Sequence, residues 1–376
     1  PPYTIAMKPI KTGVVMLNMG GPSSLRDVNP FLRRLFGDNE IIDLGRLQST
    51  LGPFIADRRT SKIQGQYGDI GGGSPIGHWT DVQGRKLAQQ LDQLSPSTAP
   101  HKAYTAFRYA DPLTEMALEQ MREDGVSRAV AFSQYPQFSC TTSGSSLNQL
   151  WRELDRLNMN KQFQWSVIDR WPTHPGYIHS VADCVKRGLD MVPEGSARDG
   201  AVIVFSSHSL PQKIITRGDP YAQEMGATVQ LVMARLAHSH SYVHAWQSKI
   251  GFLPWVGPNT SSIIDGLAKS GHRHVVVVPI GFTSDHVETL YELDIQYADA
   301  ARKSGIVTYA RAPSLNDSPI FVDALSDIVH RHLSTQELCS TQYNLNCAHC
   351  TNPTCRTIVN PIKPHSNLRA RAQSIL

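Results

Sequence analysis

Two histidines and three carboxylates carry the plainest chemical signal in the sequence. His208 follows the apolar run Ala201–Ser206 in the string Ser206-Ser207-His208-Ser209-Leu210-Pro211, and His286 stands among Asp285, Glu288 and Glu292. A neutral imidazole is the side chain best suited to take up a proton near pH 7. Carboxylates four residues apart weaken a helix, so a ladder of three asks for a reason. Each signal has a plainer reading: a lone His is more often structural, and an acidic ladder is often the solvated face of an amphipathic helix. Ser207-His208-Ser209 lacks the G-x-S-x-G elbow, which disfavours a serine hydrolase. A third constellation is Cys347-x2-Cys350-x4-Cys355, flanked by Asn346, His349 and Pro353. Three thiols at that spacing suit a metal, with a fourth ligand supplied from a distance by Cys140, Cys184 or Cys339. A structural zinc and an iron–sulfur cluster fit equally well on spacing alone.

Stepping outward from these residues, both acid–base groups sit just beyond buried strands. Val275–Val278 followed by Pro279 is too short and too β-branched for a helix. After Gly281–Ser284 the pattern turns helical, with Val287, Leu290 and Tyr291 on one face and Asp285, Glu288 and Glu292 on another. Eight such apolar runs divide into two sets of four. The first is Val14–Met19, Tyr104–Tyr109, Arg128–Ser133 and Trp165–Ile168; the second is Ala201–Ser206, Tyr242–Trp246, His274–Ile280 and Ile306–Ala310. Helical stretches such as Asp81–Leu94, Leu113–Asp124 and Gln223–Ala237 separate most of them, which predicts parallel sheets with right-handed crossovers. The pattern implies an α/β protein of two doubly wound halves facing each other across a cleft, with ligands beyond the carboxyl ends of the strands. The expected boundaries are 10–175 for the first lobe, 176–333 for the second, and 334–376 for a cysteine-bearing extension packing back on them. The last long helix, near Ile320–Leu333, is expected to cross the junction.

At 376 residues the chain can bury a large core, and 40% hydrophobic with 18% charged residues is ordinary globular composition. The net charge of +4 is too small and dispersed to argue for nucleic acid. No run of 18 apolar residues is present, so no membrane span is expected. The six cysteines are too few for a disulfide scaffold in so long a chain. The chain opens Pro-Pro-Tyr with its first methionine at Met7, so removal of an upstream piece is expected. Gly20-Gly21-Pro22 lacks the spacing of a phosphate-binding turn, and Gly71-Gly72-Gly73-Ser74-Pro75 reads as either a close backbone approach to a ligand or a plain turn. Between Arg34 and Arg59, Ile41, Ile42, Leu44, Leu47, Leu51, Phe54 and Ile55 are spread among charges. That region reads either as a core helix pair or as an apolar lip beside the cleft.

Taken together, FSSHSLP, WQSKIGFLPWVGP, PIGFTSDHVETLYELD, NMGGP, IGGGSPI, FRYADPLT and QYPQFSCTTSGSS resemble the ferrochelatase family, in order and over essentially the whole chain. The resemblance implies insertion of ferrous iron into protoporphyrin IX on two similar Rossmann-like, chelatase-like lobes with a porphyrin cleft between them. The cysteine-bearing tail makes the chain similar to the mitochondrial eukaryotic branch of fungi or animals. That branch implies the matrix side of the mitochondrial inner membrane, peripheral membrane association and a homodimer.

The chemistry accounts for the residue types. Iron enters only if the porphyrin bends and both pyrrole N–H protons leave, so a base and a metal route of hard and borderline ligands are needed. On resemblance, His208 is the base or metal contact with Glu288 facing it, and His174 and Asp327 are further catalytic positions. Asp285, His286 and Glu292 extend a proton or metal path. Arg59, Tyr67, Ser74, Arg108 and Tyr109 are implied partners of the propionates, while Met19, Trp171 and Trp255 are candidates either to pack on the ring or to belong to the core. Resemblance also selects a [2Fe–2S] cluster on Cys140, Cys347, Cys350 and Cys355, leaving Cys184 and Cys339 as plain thiols. Two alternatives remain open: a chelatase for another tetrapyrrole such as coproporphyrin, and a non-catalytic haem or iron-sensing module.

Overall fold

Runs of β-branched and apolar residues form strands where both faces can be covered, and all eight runs do so here. They are β1 (Thr12–Asn18), β2 (His101–Phe107), β3 (Arg128–Ser133), β4 (Gln164–Ile168), β5 (Val202–His208), β6 (Tyr242–Gln247), β7 (His274–Pro279) and β8 (Thr308–Arg311). The computed structural model describes residues 10–42, 44–251, 253–335, 337–350, 352 and 354–356. Every strand pair is parallel. The sheets run β2-β1-β3-β4 and β6-β5-β7-β8, one order used twice. The expected α/β architecture of two similar doubly wound lobes is therefore present.

The lobes share a core. Val14, Met16, Val130 and Phe132 of the first sheet belong to one buried cluster with Ile203, Phe205, Val276 and Val278 of the second. The helices Pro175–Asp190 and Pro319–Thr335 lie against each other in that cluster, and Pro319–Thr335 also packs on the helix Ile76–Leu94 of the first lobe. A smaller cluster gathers Phe31, Phe36, Tyr67 and Tyr109 beneath Met19 and Val287, which brings the start of the acidic segment against the first lobe.

That segment differs from its sequence reading. The expected α-helical period over Asp285–Asp294 is replaced by a π-helix, Glu288–Tyr297, which runs into the α-helix Ala298–Ser304. Apolar spacing alone does not distinguish the two, because Val287, Leu290 and Tyr291 satisfy an α-helical stripe as well as a wider turn. The chain gets from β7 to this helix through Gly281 at φ +86°, where a Cβ would lie 2.6 Å from Met225 Cε.

The region between Arg34 and Arg59 contains both expected characters. The helices Val28–Phe36 and Gln48–Asp69 pack on each other, and Ile41, Ile42 and Ile55 lie partly buried against the Tyr67 cluster. Leu47 and Phe54 are each 57% exposed, and Leu51 is exposed beside them. The Gly71–Ser74 turn makes its close approach to protein: a Cβ on Gly73 would meet Ser23 O at 2.2 Å, and Ser74 N donates to Pro22 O at 2.7 Å.

The cysteine-rich segment corrects a second expectation. Cys339 bridges Val167 of β4, and Tyr343 is 2% exposed in the first lobe's outer core. The expected [2Fe–2S] cluster on Cys140, Cys347, Cys350 and Cys355 does not follow. Among the described residues no group of three or more His, Cys, Asp or Glu is arranged to hold a metal ion, and all six cysteines are free. The surroundings of Cys140 give a physical reason. Burial, reinforced by the Asp219 carboxylate that accepts from Cys140 N at 2.7 Å, drives its thiol toward the neutral form. Burial likewise pushes the Cys355 thiol up to about 11. Spacing identified candidate donors without establishing that they converge.

Candidate active site

Parallel pairing brings the ends of β5, β6 and β7 level, with His208 opposite Gln247 and Ser206 opposite Pro279. His208 is the last residue of β5, and Tyr221 OH donates to its carbonyl at 3.2 Å. Its Nδ1 lies 2.8 Å from Glu288 Oε2, at the first position of the π-helix. Ser248, one residue past β6 at φ +63°, places its Oγ 2.8 Å from Glu288 Oε2 and 2.7 Å from Glu292 Oε2. Gln247 donates from Nε2 to Glu288 O and Glu292 Oε2, while its Oε1 accepts from Ser206 Oγ at 2.6 Å. The result is a continuous line His208–Glu288–Ser248–Glu292. Ser248 has one hydroxyl hydrogen for two carboxylates, so the line is complete when one of them holds a proton.

Electrostatics separates the two acids. Burial would raise the Glu288 carboxyl, but the His208 imidazolium and its hydrogen bond outweigh that and hold it down to about 2. Glu292 is pushed up to about 7, first by burial and then by the negative charge of Glu288. Burial works to lower His208, and the two glutamates reverse this, leaving its pKa raised. Burial lowers His286 against the pull of Glu288 and Asp285, and its buried Nδ1 has no partner among the described residues. Two carboxyls with opposed shifts beside an imidazole form a site able to take a proton and pass it on.

The sequence-predicted residues divide into three groups. His208, Glu288 and Glu292 come together, with His286 adjoining. Asp285 turns away: Arg311 pairs with it at 3.1 Å, and Ser314 and Asn316 donate to it. Burial would raise its pKa, but the Arg311 charge prevails and lowers it. His174 Nε2 lies 3.0 Å from Asp327, itself bonded to Arg331. Among the described residues that pair makes no hydrogen bond with the His208 line.

On the first lobe, Tyr67 is buried and Met19 half-buried in the cluster that Val287 joins. Burial raises the Tyr67 phenol, and the Glu288 charge adds to it. Arg108, its side chain 2% exposed, is held by Asp38 and Glu40, and its Nε and Nη1 are buried without partners among the described residues. Tyr109 OH donates to the same Asp38 at 2.7 Å. Arg59 lies over the Phe36 ring, and Ser74 Oγ accepts weakly from Ile76 N. Trp255 is half-buried where it bridges Pro211. Trp171 belongs to the core: it is 5% exposed and donates to Ser133 O at 2.9 Å.

Sequence reasoning missed Ser248, Gln247, Tyr135 and Tyr221. Gln247 closes β6 as His208 closes β5, with Ser248 next in the chain, and that shared position is the signal that could have found them. Tyr135, whose Oη accepts from Met19 N at 2.9 Å, and Tyr221 become visible only through tertiary packing.

The family model described as Ferrochelatase matches residues 11–333. The chain is 54% identical over 347 residues to "Ferrochelatase, mitochondrial" of Bos taurus, covering 92% of this chain and 83% of that protein. It is 49% identical over 349 residues to "Ferrochelatase, mitochondrial" of Schizosaccharomyces pombe, covering 93% and 82%. Among solved structures, SirB from Bacillus subtilis with Fe3+ aligns at a TM-score of 0.49 and 12% identity over 87% of this chain and 98% of that one, a likeness too loose to carry an argument. The chain belongs to the ferrochelatase family.

Proposed function

We infer that the cleft inserts ferrous iron into protoporphyrin IX, giving protohaem and two protons. The observation that carries this reading is the unbroken line His208–Glu288–Ser248–Glu292 at the strand ends of the second lobe. With Nδ1 committed to Glu288, the other ring nitrogen of His208 is the one available to a pyrrole N–H. Glu288 stabilises the imidazolium that forms, and Glu292, titrating near neutrality, passes the proton outward. The same imidazole and carboxylate offer the borderline and hard donors that suit ferrous iron on its way to the ring. His286, with a buried unpartnered nitrogen, adjoins this route. His174 and Asp327 act at a distance, by holding the two long helices together.

Met19, Tyr67 and Trp255 line the porphyrin face. Arg108 and Tyr109, with Arg59 and Ser74, supply propionate partners, and the unpartnered Nε and Nη1 of Arg108 support that role. The lobes are assigned to 10–175 and 176–333 and the extension to 334–376, whose described part packs back through Cys339 and Tyr343. The compartment is the mitochondrion, and the finer reading is peripheral attachment, as a homodimer, to the matrix side of the inner membrane. No described helix is long and apolar enough to cross a membrane, and exposed Leu47, Leu51 and Phe54 beside Arg58 offer a surface for lipid. Parallel anaerobic assays of the purified protein with protoporphyrin IX and with coproporphyrin test the substrate. Protoporphyrin is expected to be metallated faster; a preference for coproporphyrin would support the neighbouring chelatase reading, and binding without metallation the sensor.

A further inference from the structure

Gln83 is a polar side chain 1% exposed in the middle of the first-lobe helix Ile76–Leu94. Its carboxamide nitrogen donates to Thr283 O at 2.9 Å and to Asn316 O at 2.7 Å, in the loops after β7 and β8 of the second lobe. Both hydrogens are thus spent on carbonyls of the opposite lobe. Asn316 stands at φ +41° and forms a reciprocal pair with Asp285: Asp285 N donates to its Oδ1, and its Nδ2 donates to Asp285 Oδ2, each at 2.8 Å. Asp285 Oδ1 accepts from Thr289 Oγ1, Ser314 Oγ and Arg311 Nη1. Thr289 Oγ1 in turn accepts from His286 N at 3.0 Å.

Four donors therefore occupy the roughly four lone-pair sites of the Asp285 carboxylate, leaving it no capacity for a travelling proton or metal. Its bonds converge instead on the residues that open the π-helix, among which His286 and Glu288 stand. Two further links between the lobes, Lys86–Asp317 at 2.9 Å and Gln90–Asp323 at 2.8 Å, are more exposed and end where they begin.

We propose that Gln83 and Asp285 are positioning residues: Gln83, on one lobe, fixes the start of the π-helix on the other through Asn316 and Asp285, and so sets the placement of His286 and Glu288. This rests on the active-site reading given above. It gives a physical reason for a buried amide at the junction, where an apolar side chain would leave two buried carbonyls without a donor. A misplacement of about 1 Å at a reacting group can cost on the order of 100-fold in rate, so the coupling has room to matter.

The test uses Asn316→Gly, because glycine suits the positive φ and keeps the carbonyl that Gln83 holds, removing only the link to Asp285. Gln83→Met removes the two donors, and Lys86→Ala and Gln90→Ala serve as controls that cut the exposed links. Steady-state iron insertion and amide hydrogen exchange over residues 286–292 are measured on the full chain. Asn316→Gly and Gln83→Met should each lower kcat by about tenfold or more, with KM for porphyrin within about twofold and faster exchange over 286–292. The double variant should be no slower than the slower single one, since both cut one line, and the controls should match wild type. Unaltered kcat and exchange in Asn316→Gly, additive losses, or equal losses in the controls would overturn the proposal. If Gln83→Met does not fold, Asn316→Gly decides. If the wild-type chain inserts no iron, the reading of the site fails, and the exchange rates still decide whether the coupling exists.

Discussion

Glu288 and Glu292 are the same residue type four positions apart, yet their surroundings divide them. Glu288 meets an imidazole and is held near 2; Glu292 meets Glu288 and is pushed to about 7. Glu288→Gln keeps the shape and removes the charge that supports His208, so it should slow insertion by about 100-fold or more, within the usual range for a lost acid–base partner. Glu292→Gln should slow it less, because it interrupts only the onward transfer. Equal and small losses in steady-state rates would contradict this order. The Glu292 shift also predicts a stability signature. A carboxyl raised from 4.5 to about 7 keeps its proton in the folded state after the unfolded chain has lost it, so stability falls as pH rises through that window. Glu292→Gln lacks this loss, and its gain in Tm over wild type should be absent near pH 4 and largest above pH 7. Groups facing Glu292 there are Glu288, His208, Ser248 and Gln247, with the Tyr297 phenol also sensing its charge. A Tm difference that is flat with pH would contradict the assignment.

The elements most legible in the sequence were the strands, because parallel strands covered on both faces are runs of small β-branched residues with few rivals. Val275–Val278 could scarcely be anything else. The π-helix was illegible, since Val287, Leu290 and Tyr291 satisfy an α-helical stripe as well as a wider turn. Its carboxylates meet His208 at the end of β5 and Ser248 just past β6, contacts that a local apolar pattern does not contain. The cysteine segment misled for a related reason: Cys347, Cys350 and Cys355 have ligand spacing, but convergence with Cys140 is a tertiary matter that spacing does not contain. The helix Gln48–Asp69 shows both outcomes in one element, burying Ala56 and Tyr67 and exposing Phe54, with Leu47 just before it. Leu47→Ser with Phe54→Ser should therefore reduce co-sedimentation with anionic liposomes while leaving Tm within about 2 °C, since exposed positions away from special features change stability little. A marked fall in Tm with unchanged lipid binding would make these side chains part of the core.

Across the whole molecule, one strand order used twice builds two lobes of unequal chemistry. The second supplies the imidazole and acids, and the first supplies Tyr67, Met19 and the buried Arg108, joined to the second through a common core. Such a division suits a flat substrate that must be gripped on one side and deprotonated on the other. The measurement that tests this most directly is proton release during anaerobic mixing of the protein with ferrous iron and protoporphyrin IX in weakly buffered solution. The stoichiometry of the reaction requires two protons for each porphyrin metallated. His208→Ala should still bind porphyrin, seen by its fluorescence, while metallation and proton release fall together by about 100-fold or more. Porphyrin bound by the wild type without metallation or proton release, or a folded His208→Ala variant that turns over normally, would contradict the account.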